Sequence, residues 1–214
     1  MGFGLILGPS MRTDGAFCTS EHHLQLFDSS KSLAETVAAF LMAGFNRGEP
    51  LLVVATPEHR DLLTRKLEEA GLNIRNAMIS SRLTVLDAAQ TLDKFMRQDT
   101  PNPVAFDEVV GTLVGRIANG RRVCIYGEMV DVLAARGNYK GAQQVEELWN
   151  DLGRRECYTL FCGYASGHFG DPKTAQALHD ICEAHGEVHR KKDDLLAEYL
   201  LDQRTATHRV TTRS

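Results

Sequence analysis

"RRVCIYGEMVDVLAARG", residues 121–137, is the stretch whose reading decides the fold. Val123–Tyr126 is an unbroken apolar and aromatic run, the mark of a strand covered on both faces. It passes directly into Gly127 and Glu128, after which Met129 and Leu133 recur at helical spacing. Alternation along the strand sends Cys124 and Tyr126 to one face and Val123 and Ile125 to the other. A buried strand that feeds a helix is one step of a parallel α/β sheet, and ligands of such sheets sit at the carboxyl ends of the strands.

The same step repeats on either side. "HLQLF" (23–27) reads as a strand, and Ser32 with Glu35 has capping-box spacing ahead of Leu33, Val37, Phe40 and Leu41. "PLLVVA" (50–55) is a strand without polar alternation, and Thr56–Pro57 opens the next helix. "LTVLDA" (83–88) ends at Asp87, and Phe106, Val109, Val110, Leu113 and Ile117 form an amphipathic helix before Gly120. Gly137–Asn138 interrupts the helix after the opening strand. Ala142, Val145, Leu148, Trp149 and Leu152 then resume the pattern, with Trp149 as a core anchor. "CYTLFCGY" (157–164) is a fifth strand. A last helix is expected from Pro172 to about Arg204, with a weak point at Gly186.

This alternation predicts an α/β protein with three layers, a mostly parallel sheet between helices, in one domain with a C-terminal helix. The expected divisions are a disordered N-terminus over 1–20, the domain over 21–190, a C-terminal helix over 191–204 and a frayed tail over 205–214. Strand order lies beyond periodicity.

Composition narrows the function. The 214 residues are 43% hydrophobic and 24% charged, with a formal net charge of −4, which gives no electrostatic ground for direct nucleic-acid binding. No run is long enough for a membrane span. The five cysteines (18, 124, 157, 162 and 182) are odd in number and one lies in a buried strand. Reduced thiols and a cytoplasmic location are therefore expected. Cys157 and Cys162 fall on opposite faces of one strand and should not pair.

The element order resembles the RecA/KaiC-type ATPase core, yet the segment matching its phosphate loop, "LFDSSKSLAET" (26–36), contains no glycine. A backbone nest around phosphates needs glycine's freedom at positive φ, which Lys31 in "SKS" cannot supply. The second strand ends in Ala55, Thr56 and Pro57 instead of acidic residues, and Tyr126-Gly127-Glu128 stands where a metal-holding Asp would be. Together with "EHHLQLFDSS" (21–30), "GEPLLVVATPEH" (48–59), "LTVLDA", "YGEMVDVLAARGNYKGAQQVEELWNDL" (126–152), "LFCGY" (160–164) and "ICEAH" (181–185), this closely resembles the MEDS sensory domain of the methanogen/methylotroph DcmR type. The resemblance implies a RecA-derived fold without ATPase activity, a small and often hydrocarbon-derived ligand, no expected cofactor, and a histidine kinase or transcription regulator as the output partner. The competing readings are a degenerate nucleotide-binding ATPase and a pure protein-interaction module.

The residues expected to face a ligand are His22, Phe27, Asp87, Tyr126, Glu128, Cys182 and His185. Glu128 either receives a ligand's hydrogen bond or is a first-turn carboxylate favoured by the helix dipole, in which case its loss would cost only about 0.3–1 kcal/mol. Asp87 either lines the same edge or caps a helix. His22 and His23 alternate in direction and cannot form one ligand pair. His179, Cys182, His185 and His189 share one face of an ideal helix and offer donors suited to zinc or copper, but a single straight helix rarely closes a four-ligand site, so no metal is expected and the competing reading makes Cys182 plain core. Leu195, Leu196, Tyr199 and Leu200 make either a packing face or a homodimer seam.

Overall fold

The computed structural model describes residues 19–183, 185 and 187–189. The N-terminal segment before residue 19, the proposed helix over 191–204 with its dimer seam, and the tail over 205–214 lie outside them. Six strands form one parallel sheet: β1 (Glu21–Phe27), β2 (Leu51–Ala55), β3 (Leu83–Asp87), β6 (Val123–Gly127), β7 (Tyr158–Ala165) and β8 (Glu187–His189), in the spatial order β3-β2-β6-β7-β1-β8. A two-residue antiparallel ladder, β4 (Met96–Arg97) with β5 (Thr100–Pro101), stands apart.

Alternating strand residues build two cores. On one face Cys124, Tyr126, Val53, Phe27 and Phe161 pack against α1 (Ser30–Asn46), α2 (Pro57–Glu69) and α3 (Ile74–Ile79). On the other, Val123, Ile125, Leu24, Leu52 and Leu160 meet α4 (Ala88–Phe95), α5 (Pro103–Phe106), α6 (Thr112–Ala118), α7 (Met129–Ala135), α8 (Tyr139–Leu152) and α9 (Pro172–Glu183). A π-helical turn, Asp107–Gly111, joins α5 to α6. The chain turns between α7 and α8 at Gly137, whose φ of 73° belongs to the left-handed region that favours glycine. Trp149 makes edge contacts with Phe106 and Tyr158, with ring centroids 5.5 and 5.7 Å away, and so fixes α8 on the sheet.

Two expectations need correction. The last helix is shorter than expected: α9 ends at Glu183, and Glu187–His189 adds a strand to the free edge of β1, with His23 opposite Glu187 and Gln25 opposite His189. Edge hydrogen-bonding groups that a helix would have left open are thereby paired. His179, Cys182, His185 and His189 therefore do not share a helical face. Second, Cys124, Cys162 and Cys182 are outside any disulfide, as expected, but Cys157 is disulfide-bonded to a partner outside the described residues. Strand alternation excludes the Cys157–Cys162 pair alone and is silent about a remote cysteine.

Helix α1 lies so close to β6 that a Cβ at Gly44 would come within 2.6 Å of Cys124 Cβ and 2.7 Å of its Sγ. Both atoms belong to a buried side chain with little room to yield. Gly44→Ala is expected to cost about 1–3 kcal/mol by overpacking, measured as a lower urea midpoint at unchanged slope; an unchanged midpoint would show that the helix can move aside.

Candidate functional site

At the carboxyl edge, β2 is followed by α2 on one face while its neighbour β6 is followed by α7 on the other. The chain diverges between these strands and opens the crevice where α/β proteins place ligands. Glu128 sits there as the N-cap residue of α7, with none of its surface exposed. Its Oε1 accepts from the Tyr126 hydroxyl at 2.6 Å and from His59 Nδ1 at 2.7 Å; its Oε2 accepts from the Thr56 amide at 2.8 Å and the Thr56 hydroxyl at 3.0 Å. Four donors fill the roughly four acceptor positions of a carboxylate. Glu128 is thus a node inside the protein and not a surface carboxylate.

His59 comes from the first turn of α2 and is itself held. His59 Nδ1 donates to Glu128, and its Nε2 lies 3.0 Å from Ser30 Oγ, which is 3.3 Å from Glu58 Oε1. In its charged form the ring donates from both nitrogens, to Glu128 and to Ser30. Burial alone would lower the His59 pKa, but the Glu128 hydrogen bond and charge outweigh it, and the pKa is raised. The Tyr126 phenol stays protonated well above its ordinary range, through burial first and the Glu128 charge second. Gly163 on β7 makes room for this hydroxyl, since a Cβ there would lie 2.8 Å from it. Gly127 is less constrained than its position suggests: a Cβ would meet only Leu160 Cδ1, at 3.7 Å. Phe27 closes the crevice edge-on against His59, with centroids 5.6 Å apart. Nearby, Asp131 accepts from the Ala165 amide at 2.8 Å and pairs with His168 at 3.1 Å; burial pushes its carboxyl pKa up.

The segment matching a phosphate loop ends here too. Ser29 caps α1 with its own side chain, Oγ accepting from the Ser32 amide at 3.3 Å, and Lys31 is exposed. Asp87 caps α4, accepting from the Gln90 amide at 2.9 Å, and pairs with Arg60 at 3.4 Å.

A second polar cluster lies on the opposite face. Glu146 of α8, also with no exposed surface, accepts from the Tyr164 hydroxyl at 2.7 Å. Around it stand His22 Nε2 at 3.1 Å, His185 Nε2 at 3.3 Å and Cys162 Sγ at 3.5 Å. Burial would raise the Glu146 pKa, but the His185 and His22 imidazoles prevail and hold it far below the usual carboxylate range. The Cys162 thiol is pushed well above its ordinary value, first by burial and then by Glu146. Of the expected ligand-facing residues, then, Phe27, Tyr126 and Glu128 meet at the carboxyl edge, and His22 and His185 meet here. Cys182 is buried in the same core, and Asp87 stands apart. His59, Thr56, Glu146 and Cys162 complete the two clusters.

A third feature is a cavity of about 610 Å³ at the amino-terminal edge, lined by Phe40, Phe161, His23 and Thr36, with Arg47, Glu49 and Arg122 among its charged residues. The Phe40 and Phe161 rings stack at 5.0 Å.

The family model described as MEDS, MEthanogen/methylotroph, DcmR Sensory domain, matches residues 21–185. The chain belongs to this family. Among solved structures, this MEDS chain is similar to a KaiC-like protein from the hyperthermophilic archaeon Pyrococcus horikoshii OT3. They are 17% identical, over 85% of this chain and 78% of that one, with a TM-score of 0.52. A likeness at that identity shows a shared KaiC-like fold. A search of curated proteins gave no match. No described helix is long and apolar enough to cross a membrane.

Two outcomes follow from the Glu128 node. Glu128→Gln would set an amide N–H₂ against donors and strip a buried imidazolium of its counter-charge, at a cost of about 3–5 kcal/mol. That exceeds the loss expected for a helix-start carboxylate, and a denaturant melt with less than about 1 kcal/mol lost would contradict it. The raised His59 pKa also carries a sign. The stabilisation it brings is complete below the unfolded-state pKa of about 6.5 and disappears as pH rises through the higher folded value. The melting-temperature advantage of the parent over His59→Gln should therefore shrink as pH increases above about 6.5; a gap independent of pH would mean that the ring is neutral throughout.

Proposed function

We propose that this MEDS chain is a non-catalytic sensory module that binds a small, hydrocarbon-derived molecule and relays its presence to a histidine kinase or transcription regulator. The observation that carries the reading is the match to a sensory-domain family over residues 21–185. The crevice geometry supports it. A phosphoryl-transfer site needs a phosphate cradle, a metal-holding carboxylate and a residue that positions water. Here the α1 amino terminus is capped by Ser29, and the carboxylate at Glu128 has its acceptor positions filled by Tyr126, His59 and Thr56. The cavity between α1 and the amino ends of β1 and β7 sets Phe40 and Phe161 beside Glu21, Arg47, Glu49 and Arg122, a lining that suits a small molecule with both an apolar part and a polar group.

A second reading, a protein-interaction module, is favoured by the same filled crevice, because side chains there occupy space that a nucleotide would need. The two differ in what a small molecule does. In a thermal-shift panel of short alcohols, amines and halogenated alkanes, the sensory reading expects at least one compound to raise the melting temperature. Thr36→Trp, which fills the cavity from an exposed position on α1, should abolish that shift without changing the melting temperature of the free protein. A panel without any shift would favour the interaction module. Micromolar binding of ATP–Mg²⁺ by calorimetry, lost in Lys31→Ala, would overturn both in favour of a nucleotide-binding enzyme.

A further inference from the structure

We propose that His22, Glu146, Cys162 and His185 form a closed four-ligand site for one zinc-like divalent transition-metal ion. This stands independently of the sensory reading. The donors come from four separate segments: the second residue of β1, the middle of α8, the middle of β7 and the residue just beyond α9. Their ligand atoms all lie within 4.8 Å of one another. His22 Nε2 is 3.3 Å from Cys162 Sγ and 3.1 Å from Glu146 Oε2, Cys162 Sγ is 3.5 Å from Glu146 Oε2, and His185 Nε2 is 3.3 Å from Glu146 Oε1. Tetrahedral zinc with bonds of about 2.0–2.3 Å separates its ligand atoms by roughly 3.3–3.7 Å. The four contacts of 3.1–3.5 Å lie close to those edges, and small side-chain shifts within the 4.8 Å cluster would complete the polyhedron.

The surrounding hydrogen bonds set the ring orientation that a metal requires. His185 Nδ1 donates to the Ile181 carbonyl at 2.7 Å, an oxygen that can only accept, so in the neutral ring Nε2 carries the lone pair and faces the cluster. His22 Nδ1 donates likewise to Asn150 Oδ1 at 2.8 Å, and its Nε2 also faces the cluster. Tyr164 donates to Glu146 Oε1 at 2.7 Å and orients the carboxylate. Metal-binding imidazoles are held by such bonds from their second nitrogen.

Charge and donor type select the ion. The site is buried, with side-chain exposures of 9% for His22 and none for Glu146 and His185. One thiolate and one carboxylate neutralise a divalent cation, so the filled site carries no net charge into the core. Binding releases the Cys162 thiol proton to solvent as the sulfur–metal bond forms. Two imidazoles and a sulfur suit zinc and cobalt, and the single carboxylate is far from the six to eight oxygens that calcium takes. The bland alternative is a hydrogen-bonded polar cluster with protonated imidazoles around Glu146, and it predicts no metal affinity. The ion would tie the segment after α9 to β1, β7 and α8, which no continuous helix could do.

The test is a cobalt(II) titration of the full chain after chelator treatment and removal of the chelator. The proposal expects one equivalent to bind, with the intense visible bands of tetrahedral cobalt and a near-ultraviolet thiolate charge-transfer band, both bleached by one equivalent of zinc. Cys162→Ser should abolish the charge-transfer band, while Cys182→Ser should keep it. His185→Ala should weaken binding at least 100-fold. Because the titration of the unmutated protein is decisive by itself, a variant that fails to fold does not blunt it. Absence of stoichiometric cobalt binding, or a charge-transfer band that survives Cys162→Ser, would overturn the assignment.

Discussion

A carboxylate with no access to water must find its donors inside the protein, and the described residues include two, one on each face of the sheet. Glu128 and Glu146 are both fully buried. Leaving either unmatched would cost several kcal/mol, a large share of the stability of a domain this size. Much of the polar interior follows from that constraint. Thr56 and His59 from the start of α2 and Tyr126 from β6 converge on the first; His22 of β1, Cys162 and Tyr164 of β7 and His185 beyond the end of α9 converge on the second. Each cluster joins elements that are distant in sequence, so each also pins the relative placement of the layers.

The two clusters sit at different places in the fold. The first occupies the crevice at the β2–β6 divergence, where α/β sheets place ligands. Filled with protein donors, it acts as a keystone. The second lies under α8 beside β1 and β7, outside that crevice, and gathers soft and borderline donors around one carboxylate. The carboxyl edge at this crevice is filled by protein donors, and a cavity lies at the amino-terminal side beside α1. Movement of α1 against β6 is restricted by the close approach at Gly44, so a ligand in that cavity would press on elements tied directly to the Arg47–Glu49 pair and the β1 amino end.

Periodicity gives the architecture because both faces of the sheet are covered and its central strands β2, β6 and β7 are nearly continuous apolar runs. It missed β8, since three residues carry no period and the pairing with β1 is a non-local decision. Strand order was closed to it for the same reason. At the sites, the tips of strands were legible: Tyr126-Gly127-Glu128 announces a carboxylate at the end of a strand, though not that α2 would cover it. His59 and Glu146 had a readable signal that went unused. His59 falls in register with Leu63 and Leu67, and Glu146 falls between Val145 and Trp149 on the apolar stripe of α8. A titratable residue on a core face has to be matched by something, and asking what matches it leads to both clusters. Helical spacing gives His185 the wrong companions, because the short strand β8 carries no local signal.

The most direct test of a sensory rather than a catalytic role is native mass spectrometry of the chain purified from its own host without added ligand. The account predicts a population carrying a small organic adduct and no nucleotide. Retention of ATP or ADP would contradict it.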